Sequence, residues 1–155
     1  MKIQAPHLPK SAETGIKLYG DEPNQNLHFI KQSFEDEDFT HLVLDSVLFT
    51  QCTFENIDFS YADFMDCLFD KCIFINCKCE ESSLRRIVFQ GCRQSGMNFY
   101  HSSVKDLQWK ECQLSYADFS QCTLKNCLFD HCVSQSASFY HVNLSQCEFH
   151  YNDFS

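Results

Sequence analysis

Cysteine and histidine are the residues of this chain with the most distinctive chemistry, and their spacing limits what they can do. There are 11 cysteines in 155 residues, enough to raise a metal centre or a disulfide scaffold. Cys52, Cys72, Cys92, Cys112 and Cys132 recur every 20 residues, and Cys77 and Cys79 flank Lys78. Zinc needs ligands that converge tetrahedrally, and neither set has a histidine placed to complete a site. An odd number of thiols, with no apolar leader at Met1-Lys2-Ile3-Gln4-Ala5-Pro6, fits a reducing compartment. The expectation is reduced, buried cysteines in a cytoplasmic protein. Among the histidines, His101 and His141 stand too far apart to share a metal. His131 and His150, with Asp130 alongside, are the one pair that could meet. No nucleophile–base pair and no glycine-rich phosphate loop accompanies them, so the sequence assigns no catalytic residue, no metal and no cofactor.

The element that positions these residues is a five-residue apolar beat. It runs through Phe29, Phe34, Phe39, Leu44 and Phe49 and is still in frame at Phe139, Leu144, Phe149 and Phe154. All 16 phenylalanines of the chain lie in this register. A period of five fits neither a helix nor a plain strand; it fits a short extended piece followed by a corner. Extended side chains alternate, so the central residue and the residue two before it both point inward. Ten cysteines fill that second position, alongside Ala62, Ala117, Ala137, Ser82 and Ser102. Free cysteine behaves there as a small hydrophobe. Gln94 and Ser134 fall at central positions and need hydrogen-bond partners, a trapped water or a wall that bows outward. In the repeat, glycine occupies the second corner residue only at Gly91 and Gly96, with Asn56, Asn76 and Asn126 as tolerant exceptions. Because a type II turn needs positive φ there, mostly non-type-II corners are expected.

Residues 1–26 lie outside the beat and carry Pro6, Pro9, Gly15, Gly20 and Pro23. They are expected to form a partly irregular cap on the first coil, with Ile16–Tyr19 as a short strand. Residues 27–155 form the repeat domain. No apolar run is long enough to span a membrane. The net charge of −9 argues against direct nucleic-acid binding, and it is uneven: residues 1–81 hold 15 acidic and six basic side chains, while residues 82–155 hold six of each.

Ala62-Asp63-Phe64 and Ala117-Asp118-Phe119-Ser120 match a small residue, Asp or Asn, Leu or Phe, Ser or Thr, then a variable residue. In this respect the chain resembles the pentapeptide-repeat family. The resemblance covers the chain from Leu27 onward and implies an all-β, right-handed quadrilateral β-helix with four pentapeptides per coil. Applied to this length it gives about six and a half coils, a rod of about 30 Å at ~4.8 Å per coil. The best-known members, the Qnr and MfpA-type proteins, are acidic rods that bind DNA gyrase or topoisomerase IV and protect them from quinolones. The frame here runs on without the loops that interrupt Qnr proteins.

The expected function is therefore a non-enzymatic protein-interaction scaffold with an undetermined partner. The alternative is a DNA mimic that binds a type II topoisomerase and protects against a quinolone or a toxin. Candidate contact residues are the acidic Glu35, Asp36, Glu37 and Asp38 and the aromatic and histidine set Tyr61, Tyr100, His101, Tyr140 and His141. A basic strip, Arg85, Arg86, Lys105 and Lys125, and an outward apolar ladder, Leu48, Leu68, Val88 and Leu128, lie on other faces. Leu144, Phe149 and Phe154 are expected to be left bare at the last coil, where a homodimer would bury them.

Overall fold

The computed structural model describes residues 1–155 and contains strands and corners but no helix. Pairing is parallel with a twenty-residue register: Phe29 faces Phe49, Phe69 faces Phe89, and Phe89 faces Trp109. Each coil thus takes four pentapeptides, and the chain winds about 6 turns of a right-handed quadrilateral β-solenoid. Its four walls are named here by their first central residues: Phe29, Phe34, Phe39 and Leu44. The Leu44 wall leads into the Phe29 wall of the next coil through long strands, Asp63–Asp70, Ser83–Gln90 and Ser103–Lys110, which pass the corner unbroken.

The five-residue beat is the core. On the Phe29 wall, successive rings of Phe29, Phe49, Phe69, Phe89, Trp109, Phe129 and Phe149 lie 4.4 to 6.1 Å apart and nearly parallel. Neighbouring walls meet edge to face, as Phe49 meets Phe54 at 5.3 Å and 70°. Both geometries suit the aromatic quadrupole, which explains why Phe fills a position that any large apolar residue could occupy. The stack on the Phe34 wall stops after Phe74, where Gln94 follows. Gln94 and Ser134 are buried, and neither Gln94 Oε1 nor Ser134 Oγ has a partner; the Trp109 indole N–H is likewise unpaired.

The cysteine position has a reason beyond size. Each ladder thiol donates to the carbonyl 23 residues earlier: Cys52 to Phe29 at 3.5 Å, Cys72 to Phe49 at 3.5 Å, Cys92 to Phe69 at 3.2 Å, Cys112 to Phe89 at 3.3 Å and Cys132 to Trp109 at 3.4 Å. Ser82 and Ser102 make the same bond to Phe59 and Cys79. Asn152 continues the cysteine ladder with its amide on Phe129 O at 2.8 Å. A small donor suits the position, although Ala62 and Ala117 fill it without one.

The corners correct one premise, that positive φ is confined to glycine and asparagine. The second corner residue has positive φ throughout, at glycine and non-glycine alike, with values from 50° at Asn76 and Glu81 to 71° at Gly96. Tyr61, Lys71, Arg86 and His131 adopt it as readily as Asn56. The cause is the neighbouring coil. In that conformation the corner N–H reaches the carbonyl 19 residues on, as Lys31 reaches Thr50 at 2.9 Å and Gln51 reaches Asp70 at 2.8 Å. The bond that closes a β-turn from first to fourth residue forms at a minority of corners, such as Phe39 to Leu42 and Phe99 to Ser102.

The N-terminal segment is anchored at Glu13–Thr14, which pairs with Leu27–His28. The strand expected at Ile16–Tyr19 is absent, and Ile16 is 84% exposed. Gly15 sits flat on the first ring: a Cβ there would come within 2.5 Å of Phe29. Its N–H bonds His28 O at 2.8 Å and its carbonyl accepts Gln32 Nε2 at 2.6 Å. Upstream, residues 1–12 leave the end of the rod and climb its outside.

Candidate functional site: an acidic edge on a rod

The four carboxylates Glu35, Asp36, Glu37 and Asp38 are all exposed where the Phe34 wall turns into the Phe39 wall. The fold extends them along the rod. Glu35 lies in register over Glu55, and Asp38 over Asp58. Like charges placed directly opposite in a sheet destabilise it. Only the second pair gains a counter-ion, because Lys78 follows on the next coil at 3.2 Å from Asp58.

Several of these groups also serve the corner. Asp38 accepts the N–H of Thr40 at 2.9 Å, and Asp58 accepts that of Ser60 at 2.9 Å; Asn98 and Asp118 repeat the contact on later coils. This side chain-to-backbone bond explains the preference for Asp or Asn one residue before the centre on this wall. The Thr40 N–H holds the Asp38 carboxyl below its ordinary range. Burial pushes the Asp58 carboxyl up, but bonds from Ser60 and Lys78 outweigh it and leave it lowered. On the corner itself an amide chain forms. Asn76 donates to Asn56, and Asn56 donates to Asp36, each at 2.8 Å. Gly96 ends that row and opens a shallow groove of about 430 Å³ beside Asn56, Asp58, Asn76, Lys78 and Asn98.

The aromatic and histidine residues do not form one patch. Tyr61 and His101 share a corner row, but Glu81 separates them, 4.0 Å from His101. Tyr61 instead stacks on His41 at 5.1 Å, a partner the sequence reading did not single out. Tyr100 is half-buried beside His101, whereas Tyr140 and His141 stand exposed two coils on. The basic strip loses a member: Arg86 is turned into the corner, with Nε and Nη2 on Asp66 at 2.7 and 2.9 Å. Arg85, Lys105 and Lys125 remain in register on the Leu44 wall, with Asp63 3.7 Å from Arg85. Leu48, Leu68, Val88 and Leu128 are half-buried. Leu144, Phe149 and Phe154 are 45%, 36% and 48% exposed.

The thiols and imidazoles are committed locally. Burial pushes the Cys67 and Cys79 thiols up to about 12 and those of Cys77 and Cys122 to about 11. No cluster of three metal-ligating side chains exists. His131 and His150, which the spacing could have joined, each pair with a carboxylate of their own coil: Asp130 at 2.7 Å and Glu148 at 2.9 Å.

The sequence profile of the pentapeptide repeat region matches residues 62–139, half of the chain. The chain belongs to the pentapeptide-repeat family. No curated protein matches the sequence. Among solved structures, this pentapeptide-repeat protein is similar to a trypsin-treated R167E form of QnrB1, a plasmid-mediated fluoroquinolone resistance protein, with TM-score 0.67 and 24% identity. That match covers 83% of this chain and 63% of the QnrB1 chain, so this protein spans less than two thirds of its length. Rfr23 from the cyanobacterium Cyanothece matches with TM-score 0.35 and 11% identity over 86% of this chain and 91% of its own. HetL, a Nostoc protein involved in heterocyst differentiation regulation, matches with TM-score 0.30 and 11% identity over 84% and 86%. At these identities the likeness concerns the fold.

Proposed function

We propose that this pentapeptide-repeat protein is a non-catalytic interaction rod whose acidic edge docks on a basic protein surface. One observation carries this reading: Glu35 is stacked over Glu55 in register, beside Asp36 and Glu37, with no ion pair to any of them. An arrangement that costs the free protein stability is explained if a cationic partner completes it, and a one-signed edge also steers such a partner. The groove at Gly96 adjoins this edge and supplies amide donors and acceptors there. Eleven unpaired cysteines fit a cytoplasmic setting.

A type II topoisomerase is the second reading. Carboxylates repeated at coil spacing along a narrow rod are the feature a DNA-binding groove would accept, and the solved relative with TM-score 0.67 is a fluoroquinolone resistance protein. We also assign the exposed Leu144, Phe149 and Phe154 to a contact with a second copy.

The test is a gyrase supercoiling assay, with and without quinolone, beside a pulldown with the purified enzyme. The triple variant E35K/D36K/D38K separates the readings. Lost capture and lost effect support topoisomerase binding through this edge. Capture by another basic protein that the variant abolishes supports the scaffold alone. Partner binding unchanged by the triple reversal overturns the assignment of the edge.

A further inference from the structure

The corner between the Leu44 and Phe29 walls carries Asp66, Arg86 and Asp106 at successive levels, and something is already bound to it. Asp66 and Asp106 are 4% and 3% exposed. Asp66 takes both nitrogens of the Arg86 fork and still accepts the backbone N–H of His7 at 2.9 Å. Asp106 accepts the backbone N–H of Gln4 at 3.1 Å and the Asn126 amide at 3.4 Å. The segment on this corner presents every third residue to the rod: Ile3, Pro6 and Pro9 are half-buried while their neighbours are exposed. Three residues per turn is the polyproline II period, and one turn rises about 9.3 Å at ~3.1 Å per residue. Two coils of the rod rise about 9.6 Å at ~4.8 Å each. The two repeats are nearly commensurate, which is why donors three apart in the segment meet carboxylates forty apart in the rod.

We propose that this corner is a groove for an extended, proline-containing peptide, and that its resident ligand is the chain's own residues 1–12, held in cis as a displaceable strap. The contacts are those of a peptide ligand. No backbone–backbone hydrogen bond holds residues 1–12; the first belongs to Glu13. The anchors are two backbone N–H groups on carboxylates, a recognition that asks little of side-chain identity. Charge is complementary: residues 1–12 contain Lys2, His7 and Lys10 and no acidic residue, and the groove sets the buried carboxylates of Asp66 and Asp106 against the single Arg86, which leaves it net negative. A segment so lightly tethered opens at low free energy. The groove lies apart from the acidic edge and does not depend on the function assigned to it.

The probe is a fluorescein-labelled synthetic peptide of residues 1–12, followed by fluorescence anisotropy on the full-length protein. Because backbone N–H groups are the donors, the informative variant is Q4P/H7P, which removes both and keeps an extended arm. The peptide is expected to bind Q4P/H7P saturably and to bind wild type at least about tenfold more weakly, because the tethered arm competes at an effective concentration of order millimolar. Adding D106A to Q4P/H7P should weaken binding at least about tenfold. A second readout needs no added peptide: trypsin should cut after Lys2 and Lys10 several-fold faster in Q4P/H7P, and in D106A alone, than in wild type. Circular dichroism checks that each variant keeps the solenoid. Equal cutting rates in wild type and variants, or no saturable peptide binding to folded Q4P/H7P, would overturn the proposal.

Discussion

Gln94→Leu should stabilise the rod, although it deletes a polar side chain from the middle of a chain rich in hydrogen bonds. Gln94 is fully buried at a central position of the Phe34 wall, with Phe74 on one side and Leu114 on the other in the twenty-residue register. Its Oε1 accepts nothing, and its Nε2 reaches only the sulfur of Met97 at 3.7 Å. An unsatisfied buried acceptor costs about 1–3 kcal/mol, against which the lost N–H···S contact is small. Leucine is close in volume and continues the apolar row, so little overpacking is introduced. The net gain should be about 1–2 kcal/mol. At about 2–4 °C per kcal/mol for a chain of this length, the melting temperature should rise by about 2–8 °C. Thermal scans by circular dichroism would measure it, and urea titration followed by Trp109, the single tryptophan and one coil further on, would check it locally. A variant melting at or below wild type would show that the amide is satisfied, for instance by an enclosed water, and would refute the reasoning. Ser134→Ala removes a second unpaired buried hydroxyl and should shift stability in the same direction by a smaller amount.

Other consequences can be checked with simple assays. A thiol reagent applied to the native protein should label Cys147, the one cysteine that is not fully buried, and reach the other ten only on unfolding. Cys72→Ser should lose less stability than Cys72→Ala, because serine can make the same bond to the Phe49 carbonyl, as Ser82 and Ser102 do, and alanine cannot; paired urea titrations would compare them. Gly15→Ala should loosen the first coil, since a Cβ collides with a Phe29 ring that is itself stacked on Phe49 at 5.1 Å; faster hydrogen exchange at Leu27–Ile30 with unchanged exchange near Trp109 is the expected signature. Burial pushes the Asp66 carboxyl up, but the Arg86 fork and the His7 N–H outweigh it and leave it below the ordinary range. Its stabilising contribution is therefore complete above about pH 4, the unfolded value, and is lost as pH falls through the lower folded value. In acid titrations D66N should accordingly show a shallower loss of stability below about pH 4 than wild type.

The sequence made the rod legible because one rule is obeyed at every level: a residue that points inward today points inward twenty residues later. Phe69 over Phe89, or Cys92 over Cys112, follows from counting alone, and so does the packing of the thiols. Features that depend on a different period, or on a partner far along the chain, were not visible that way. The strap repeats every third residue, through Ile3, Pro6 and Pro9, and this pattern means little until a wall exists for it to lie on. Arg86 looked like its basic neighbours Arg85 and Lys105, but the corner turns it inward against Asp66 while they stay outside. The acidic run stands out in the sequence as a block of like charge, but its pairing with Glu55 and Asp58 appears only once the coil register is known.

At the corners, residue type does not decide backbone conformation. Positive φ at a non-glycine residue costs about 1 kcal/mol or more. Applied at positions such as Lys31, Gln51, Lys71, Glu111 and His131, and repeated up the whole rod, that cost would exceed the net stability of an ordinary domain, about 5–15 kcal/mol. It is tolerable because, below the last coil, the same conformation delivers the corner N–H to the next coil: Lys31 to Thr50, Lys71 to Gln90, Glu111 to Asp130 and His131 to His150, all at 2.8–2.9 Å. The compensation is therefore not local. A corner without its neighbouring coil keeps the strain and loses the bond, so a single coil has no reason to form, and each coil laid down makes the next one favourable. Residue type at the corner becomes nearly free as a result. That freedom lets this protein place lysine, histidine, tyrosine and glutamate on its edges, and so it lets the outside of the rod carry a surface that the repeat itself does not dictate.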